Sequence, residues 1–513
     1  MGAPAIMTKA SVQNVLLIVA DQWRGDCLGA MDHPSVQTPH LDALAEDGVL
    51  FRRHYSQASP CGPARASLLT GLYQHNHRQI LNETPLADDL PNLARLVRQS
   101  GRAPALFGYT DTPNDPRMTA SAAPWVCPGF DVIAGFFYHD LFRGWRNWMA
   151  AHGHTMTGPQ DPAAIYLPVG GYDAAQPAAP TGYPAHLTDT AYLFGAALDH
   201  IADQGDTPWF VHLNCLKPHP PMVAPEPYNR LYEPGRLDVP DRLPDADAAT
   251  GHHPYLAALA ASQNLKEYFR RHRGLTEIDP ADDQAMRAAY FGNISEVDTQ
   301  VGKVFDGLKA MGRYDDTLII FTSDHGEQLG DNWLYGRRGP FDGHFQVPLI
   351  IRGPASARGS AVEAFTEAVD ILPTIAEALG LTAGAVDGRP LGGLLTGGRP
   401  DNWRSSAYWE QDFRDLLDNP RAATHLALDP ADCCFAAVTS DAYLYVHFPS
   451  LPPLLYDRVA DPGCHHNIAG QAAHWQMEKD ALQAVLARRL SHQSPGLTGF
   501  RQAYGTTGQA ERH

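Results

Sequence analysis

Residues 61–71 read Cys-Gly-Pro-Ala-Arg-Ala-Ser-Leu-Leu-Thr-Gly, and two of them could do chemistry together. Cys61 offers a sulfur atom that could attack or be modified. Arg65 lies one helical turn further on and can present a planar fork of donors to a sulfate or phosphate oxygen. Pro60 and Pro63 argue against regular helix around the cysteine, because proline lacks the amide hydrogen and constrains its predecessor. From Ala64 to Leu69 the composition turns helical. A residue just before a helix start faces unpaired amides and the positive end of the helix dipole, a place suited to an anion. The competing reading is an inert buried cysteine in a loop.

Two apolar runs end in metal-type ligands. Asn14-Val-Leu-Leu-Ile-Val-Ala20 stops at Asp21-Gln22, and Thr317-Leu-Ile-Ile-Phe-Thr322 stops at Ser323-Asp324-His325. In an open α/β sheet, ligand sites lie at the carboxyl ends of the strands, so segments this far apart in sequence can converge there. Two carboxylates, an amide and an imidazole suit one divalent cation with an open position. Taken singly, an Asp at a strand end is more often a helix cap or turn residue.

The Cys61-x-Pro63-x-Arg65 core, extended through Ser67-Leu68-Leu69-Thr70-Gly71, resembles the signature of type I sulfatases and phosphonate monoester hydrolases. Both belong to the alkaline phosphatase superfamily. Phe321-Thr-Ser-Asp-His-Gly-Glu-Gln-Leu-Gly330 resembles the second metal motif of that superfamily, so the resemblance spans nearly the whole chain. It implies that Cys61 is oxidised to formylglycine by a formylglycine-generating enzyme, and that the hydrated aldehyde is the nucleophile. It implies a metal held by Asp21, Gln22, residue 61, Asp324 and His325. Asn82 then matches the asparagine on a non-bridging oxygen, and Tyr109 a tyrosine of the substrate pocket. His219 matches the histidine that serves the leaving-group oxygen, while Arg65 and Arg337 hold equatorial oxygens.

Departures from the pattern carry information. Sulfatases usually have Asp at position 22 and Asn at 325; Gln22 and His325 resemble the phosphonate monoester hydrolase branch. The exchange lowers ligand charge and adds nitrogen, favouring Mn²⁺ over Ca²⁺, with Ca²⁺ still admissible. Gly336 is followed by Arg337 where the family often places Lys, which changes reach and donor geometry. Asp111 stands where close relatives often carry Thr, adding a negative charge at the pocket. The implied activity is hydrolysis of small anionic esters: sulfate monoesters first (an arylsulfatase), phosphonate monoesters or phosphodiesters second. A non-catalytic binding protein of the same fold is the alternative from another class.

The elements that must position these residues follow from periodicity. Strand-length apolar runs alternate with helical segments at residues 39–49, 93–97, 191–201, 286–311 and 369–379, which predicts a large, mostly parallel sheet sandwiched by helices. After about residue 395 short β-type segments and a closing helix predict a smaller antiparallel sheet plus helix. The expected division is therefore 1–395, catalytic, and 396–513, a C-terminal subdomain with an oligomerisation-type tail; homodimer or homotetramer is expected. The stretch from about 224 to 283 reads as a surface excursion near the site mouth. With 44% hydrophobic and 19% charged residues the 513-residue chain is an ordinary globular protein. Its formal net charge of −18 argues against nucleic-acid binding. The seven cysteines are odd in number and lack metal-type spacing, which predicts a reducing compartment. No apolar run spans a membrane and no signal-peptide pattern opens the chain, so a cytoplasmic location is expected.

Overall fold

The computed structural model describes residues 12–118, 125–156, 165–166, 178–263, 280–494, 500–501 and 511–512. An eight-stranded sheet organises the chain. Its strands are β1 (Asn14–Asp21), β2 (Val49–Phe51), β3 (Pro104–Gly108), β4 (Asp131–Gly135), β5 (Phe210–Pro218), β6 (Thr317–Ser323), β7 (Leu349–Arg352) and β8 (Ser360–Val362). The spatial order is β4-β3-β5-β1-β6-β7-β2-β8. All neighbours are parallel except β7, which runs antiparallel to both β6 and β2.

β1 is apolar at nearly every position because it is covered on both faces. Its side chains alternate between two cores. Leu16, Ile18 and Ala20 join helices α1 (Pro39–Asp47), α4 (Asp189–Asp203) and α6 (Pro280–Ala310) on one side. Val15, Leu17 and Val19 join α2 (Cys61–Thr70), α3 (Leu93–Gln99) and α7 (Ile371–Ala378) on the other. The register pairs Ala20 with Ser323 on β6. Asp21 and Asp324 therefore leave the sheet side by side.

The C-terminal part forms a four-stranded antiparallel sheet, β9 (Ala407–Asp412), β10 (Cys434–Thr439), β11 (Tyr443–His447) and β12 (Leu454–Asp457). Helix α8 (Trp475–Ser491) covers one face through Ala481 and Val485. The other face packs on the large sheet's loops: Trp409 stacks on Tyr55 at 5.6 Å and on Phe345 at 4.9 Å between ring centroids. The stretch expected as a surface excursion contains a buried helix, α5 (Pro254–Ser262), whose Tyr255, Leu256 and Leu259 enter that second core. Its small apolar residues carry no clean period, which is why the helix was not legible. Residues 264–279 and most of the tail after Ser494 lie outside the described residues. No described helix is long and apolar enough to cross a membrane.

Glu296 on α6 is buried and accepts hydrogen bonds from Thr188 Oγ1 at 2.7 Å and Gln300 Nε2 at 3.0 Å. Burial and, after its hydrogen bonds, the nearby Asp189 raise its pKa to about 7. A carboxyl that binds its proton more tightly folded than unfolded stabilises the fold at low pH and loses that contribution as pH rises to about 7. Glu296→Gln should flatten the decline in stability between the ordinary carboxylate range and neutrality, by on the order of 2–3 kcal/mol. Urea melts across that pH window measure it.

Candidate active site

Cys61 begins helix α2, with Pro60 as its N-cap, rather than preceding the helix as expected. The prolines are compatible with this. Pro63 sits in the first turn, where its missing amide hydrogen would have had no intrahelical partner. Gly71 closes the helix at φ 69° and donates its amide to Ser67. The sulfur of Cys61 lies 3.2 Å from His325 Nε2, 3.3 Å from Arg337 Nη1 and 3.7 Å from Asp21 Oδ1.

The ligand-type atoms of Asp21, Cys61, Asp324 and His325 all fall within 4.8 Å of one another, and all four residues are buried. The two carboxylates divide their oxygens. Asp21 Oδ2 accepts from Arg65 Nη2 at 3.2 Å and from the Tyr109 hydroxyl at 2.6 Å, while Asp324 Oδ2 accepts from Arg65 Nε at 3.0 Å. Their Oδ1 atoms turn instead toward His325 Nε2, at 3.8 and 4.0 Å. His325 Nδ1 lies 3.0 Å from the Gly326 carbonyl. That bond uses the Nδ1 hydrogen and leaves the Nε2 lone pair facing the carboxylates. Two anionic oxygens and an imidazole lone pair converging in a buried space are a donor set for a divalent cation, so the residues fit the ion that the resemblance implies.

Gln22 follows Asp21 directly at the same strand end. It adopts φ 66°, an uncommon left-handed conformation for a residue with a side chain. Tyr290 from α6 holds it there by donating to the Gln22 carbonyl at 2.7 Å, and the Gln22 amide donates to Asp324 Oδ1 at 3.1 Å. Its side-chain nitrogen donates to Glu327, so the amide oxygen is the end left for a cation. Burial works against the charge on Asp21, yet His219, Arg65, His325 and the Tyr109 hydroxyl hold its pKa well below the ordinary carboxylate range. Burial and the charge of Asp21 push Asp324 upward. Two carboxylates forced apart in this way are what a shared cation relieves.

Arg65 is only 2% exposed. Besides the carboxylates it donates to Asn214 Oδ1 at 2.6 Å, and its guanidinium lies 4.4 Å from the centre of the Tyr109 ring. Its fork is thus directed into the carboxylate pair, as an internal counter-ion. Asn82 Oδ1 accepts the amide of Gly62 at 2.9 Å, so that residue holds the first turn of α2. A Cβ at Gly62 would lie 2.6 Å from Gln79 Nε2 and 2.7 Å from the Asp111 carbonyl oxygen. Gly62→Ala should therefore displace the Asn82 and Asp111 segments and lower kcat/KM by about 10²-fold, with little change in secondary structure by circular dichroism.

Arg337 and His219 meet above the sulfur. Arg337 Nη1 is 3.0 Å from His219 Nε2, and His219 Nδ1 is 2.7 Å from the Pro220 carbonyl. His219 is thereby the tautomer with its hydrogen on Nδ1 and its Nε2 lone pair facing Arg337. Burial, opposed by Asp21 and reinforced by Arg337, lowers its pKa to about 4. Lys217 fixes this loop by donating to the Pro221 carbonyl at 3.0 Å. Burial raises the Cys61 thiol well above its ordinary range; Arg337 opposes the rise, and the Asp21 and Asp324 charges add to it.

Residues 13–381 match the Sulfatase family, which is most of the chain. The chain belongs to the Sulfatase family. Among similar proteins of that superfamily, the multifunctional alkaline phosphatase superfamily protein PehA of Trinickia caryophylli is 39% identical over 508 residues, covering 96% of this chain and 98% of that one. The phosphonate monoester hydrolase of Agrobacterium radiobacter superposes with a TM-score of 0.90 at 40% identity, covering 96% and 98%. Phosphonate monoester hydrolase SpPMH from Silicibacter pomeroyi gives 0.89 at 37%, covering 98% and 99%. This sulfatase-family chain is a hydrolase of anionic esters with the expected alkaline-phosphatase-like fold.

The structure brings all eleven expected residues into one region: Asp21, Gln22, Cys61, Arg65, Asn82, Tyr109, Asp111, His219, Asp324, His325 and Arg337. Sequence reasoning missed Asn214, Glu327 and Tyr290. Asn214 had a legible signal, since it is a polar residue inside a strand buried on both faces. Glu327 and Tyr290 lacked one, because their roles arise only where segments distant in sequence meet.

Proposed function

We propose that this chain hydrolyses phosphonate monoesters and phosphodiesters, and sulfate monoesters as a second substrate class in the same site. The observation that carries the reading is the divided carboxylate pair, with His325 and Gln22, set around the side chain of residue 61. A formylglycine at 61 and a divalent cation, with Mn²⁺ the ion such a mixed nitrogen and oxygen set favours, would supply the nucleophile and the Lewis acid. Asp21 Oδ1, Asp324 Oδ1, His325 Nε2 and the Gln22 amide oxygen would hold the cation. Arg65 holds one oxygen of each carboxylate and helps keep Asp21 ionised. Arg337 aims a guanidinium at the space over residue 61, where an ester's non-bridging oxygens gain charge. The raised pKa of the thiol speaks against an unmodified thiolate nucleophile.

His219 is neutral in the free protein. An anionic ester beside it favours the protonated ring, which can then deliver its proton to the departing oxygen. His219→Ala should cost about 10²–10⁴-fold in kcat/KM for alkyl esters and far less for para-nitrophenyl esters, whose oxygen leaves without protonation.

Comparing kcat/KM for para-nitrophenyl methylphosphonate, a bis-aryl phosphodiester and para-nitrophenyl sulfate tests the order. Phosphonate turnover exceeding sulfate turnover is expected; the reverse order makes the chain a sulfatase in the narrow sense, as the family signature alone suggested. Mass spectrometry of the tryptic peptide 54–65 tests the modification. Active protein should show loss of H₂S and gain of oxygen at residue 61. We further propose maturation by a formylglycine-generating enzyme, a cytoplasmic location, and assembly as a homodimer or homotetramer. The exposed Trp475, Leu486 and Leu490 of α8 support the last of these.

A further inference from the structure

A cavity of about 260 Å³ opens beside the reaction centre, lined among others by Asn82, Tyr109, Asp111, Phe136, Phe137 and Tyr138. It connects to the centre through Asn82, which holds the Gly62 amide, and Tyr109, which donates to Asp21. His219 and Arg337 are not among its walls. If His219 serves the departing oxygen, this cavity lies elsewhere around the phosphorus atom. A sulfate monoester has one organic group, which leaves. A phosphonate monoester or phosphodiester keeps a second organic group on phosphorus, and that group needs a place of its own.

The walls state what kind of group fits. Phe136 stacks on Phe142 at 4.2 Å and Tyr138 meets the same ring edge-on at 4.8 Å, so the aromatic surfaces are braced from behind. Glu83 stands with Asp111 in the lining, and no lysine or arginine joins them among the described residues. His139 also lines the cavity, its ring 5.3 Å from that of Phe137. Burial raises the pKa of Asp111 to about 6, with Arg65 and Arg337 opposing, but Arg65 is itself committed to Asp21, Asp324 and Asn214. Asp111 itself sits at φ 48°, and its carbonyl is fixed by Gln79 Nε2 at 2.9 Å. Aromatic faces beside carboxylates attract a cation, the rings by their quadrupole and the acids by charge.

We propose that this cavity binds the organic group retained on phosphorus, and that the preferred group carries a positive charge, such as a primary ammonium. The inference rests on the phosphonate and phosphodiester reading and narrows its substrate class. Asp111 supplies the counter-charge. Tyr138 and Phe137 supply ring faces.

The test uses para-nitrophenyl monoesters of aminoethyl-, n-propyl- and carboxyethylphosphonate, with the methylphosphonate ester as common reference, each corrected for its uncatalysed rate. The propyl group is the neutral counterpart of the aminoethyl group in size. The unaltered enzyme should favour aminoethyl over propyl by about tenfold or more in kcat/KM, with carboxyethyl the poorest. Asp111→Asn should bring the aminoethyl-to-propyl ratio near unity, and Tyr138→Leu should lower it. A ratio at or below one in the unaltered enzyme overturns the proposal, as does a ratio that Asp111→Asn leaves unmoved. Turnover of the methylphosphonate ester beside either negative result leaves the parent function standing; absence of turnover with every ester removes both.

Discussion

Replacing Cys61 with alanine is expected to lower kcat/KM for an aryl phosphonate by about 10⁴-fold or more while leaving the protein folded. The sulfur makes contacts of 3.2–3.7 Å to His325, Arg337 and Asp21, but none of these side chains depends on it for its own position. His325 is held through Nδ1 by Gly326, and Asp21 by Arg65 and Tyr109. The alanine variant should thus show a nearly unchanged thermal midpoint, with Asp21, Asp324 and His325 still in place. Serine should be almost as poor, because a serine adduct cannot release its product by breaking a bond within the side chain. Retention of more than a hundredth of the activity by the alanine variant would place the nucleophile elsewhere.

Arg65→Ala should be the most destabilising single change at the site. It removes the partner of two buried carboxylates at once and leaves Asn214 Oδ1 without its donor. Breaking a buried ion pair by removing one member costs about 3–5 kcal/mol. The loss has a signature that a simple packing defect lacks. A divalent cation bound by the same carboxylates supplies the missing positive charge, so adding Mn²⁺ should raise the denaturation midpoint of the variant more than that of the unaltered protein. Urea melts with and without the ion decide it. Equal shifts in the two proteins would mean that Arg65 does not act as the internal counter-ion.

Much of this arrangement was legible before any coordinates. β1 and β6 announce themselves as unbroken apolar runs, and each stops at a carboxylate, so their adjacency puts Asp21 beside Asp324. The sequence puts Arg65 one turn beyond Cys61, although it suggests a helix only from Ala64 and the helix begins at Cys61. Direction was harder to read. Arg65 suggested a ligand for the ester, yet its donors point down into the carboxylates; only packing decides which way a long side chain turns. The residue type marks His219 as an acid-base candidate, but its lowered pKa, set by burial and Arg337, arises from packing that the sequence does not show. Helix α5 escapes the sequence pattern because four alanines among its nine residues blur the period, and its burial comes from Phe413 and Phe435 far along the chain.

Glu327 is fully buried, and its two oxygens serve different masters. One takes the side-chain amide of Gln22; the other takes the backbone amides of Leu329, at 2.9 Å, and Gly336. Gln22 adjoins Asp21, and Gly336 precedes Arg337. The floor of the catalytic basin and its roof are consequently one mechanical piece, hinged on a single acid. Exchanging the resident ion for a larger one should therefore alter how tightly the ester is gripped as well as how fast it reacts, with KM and kcat moving together across a series of metals.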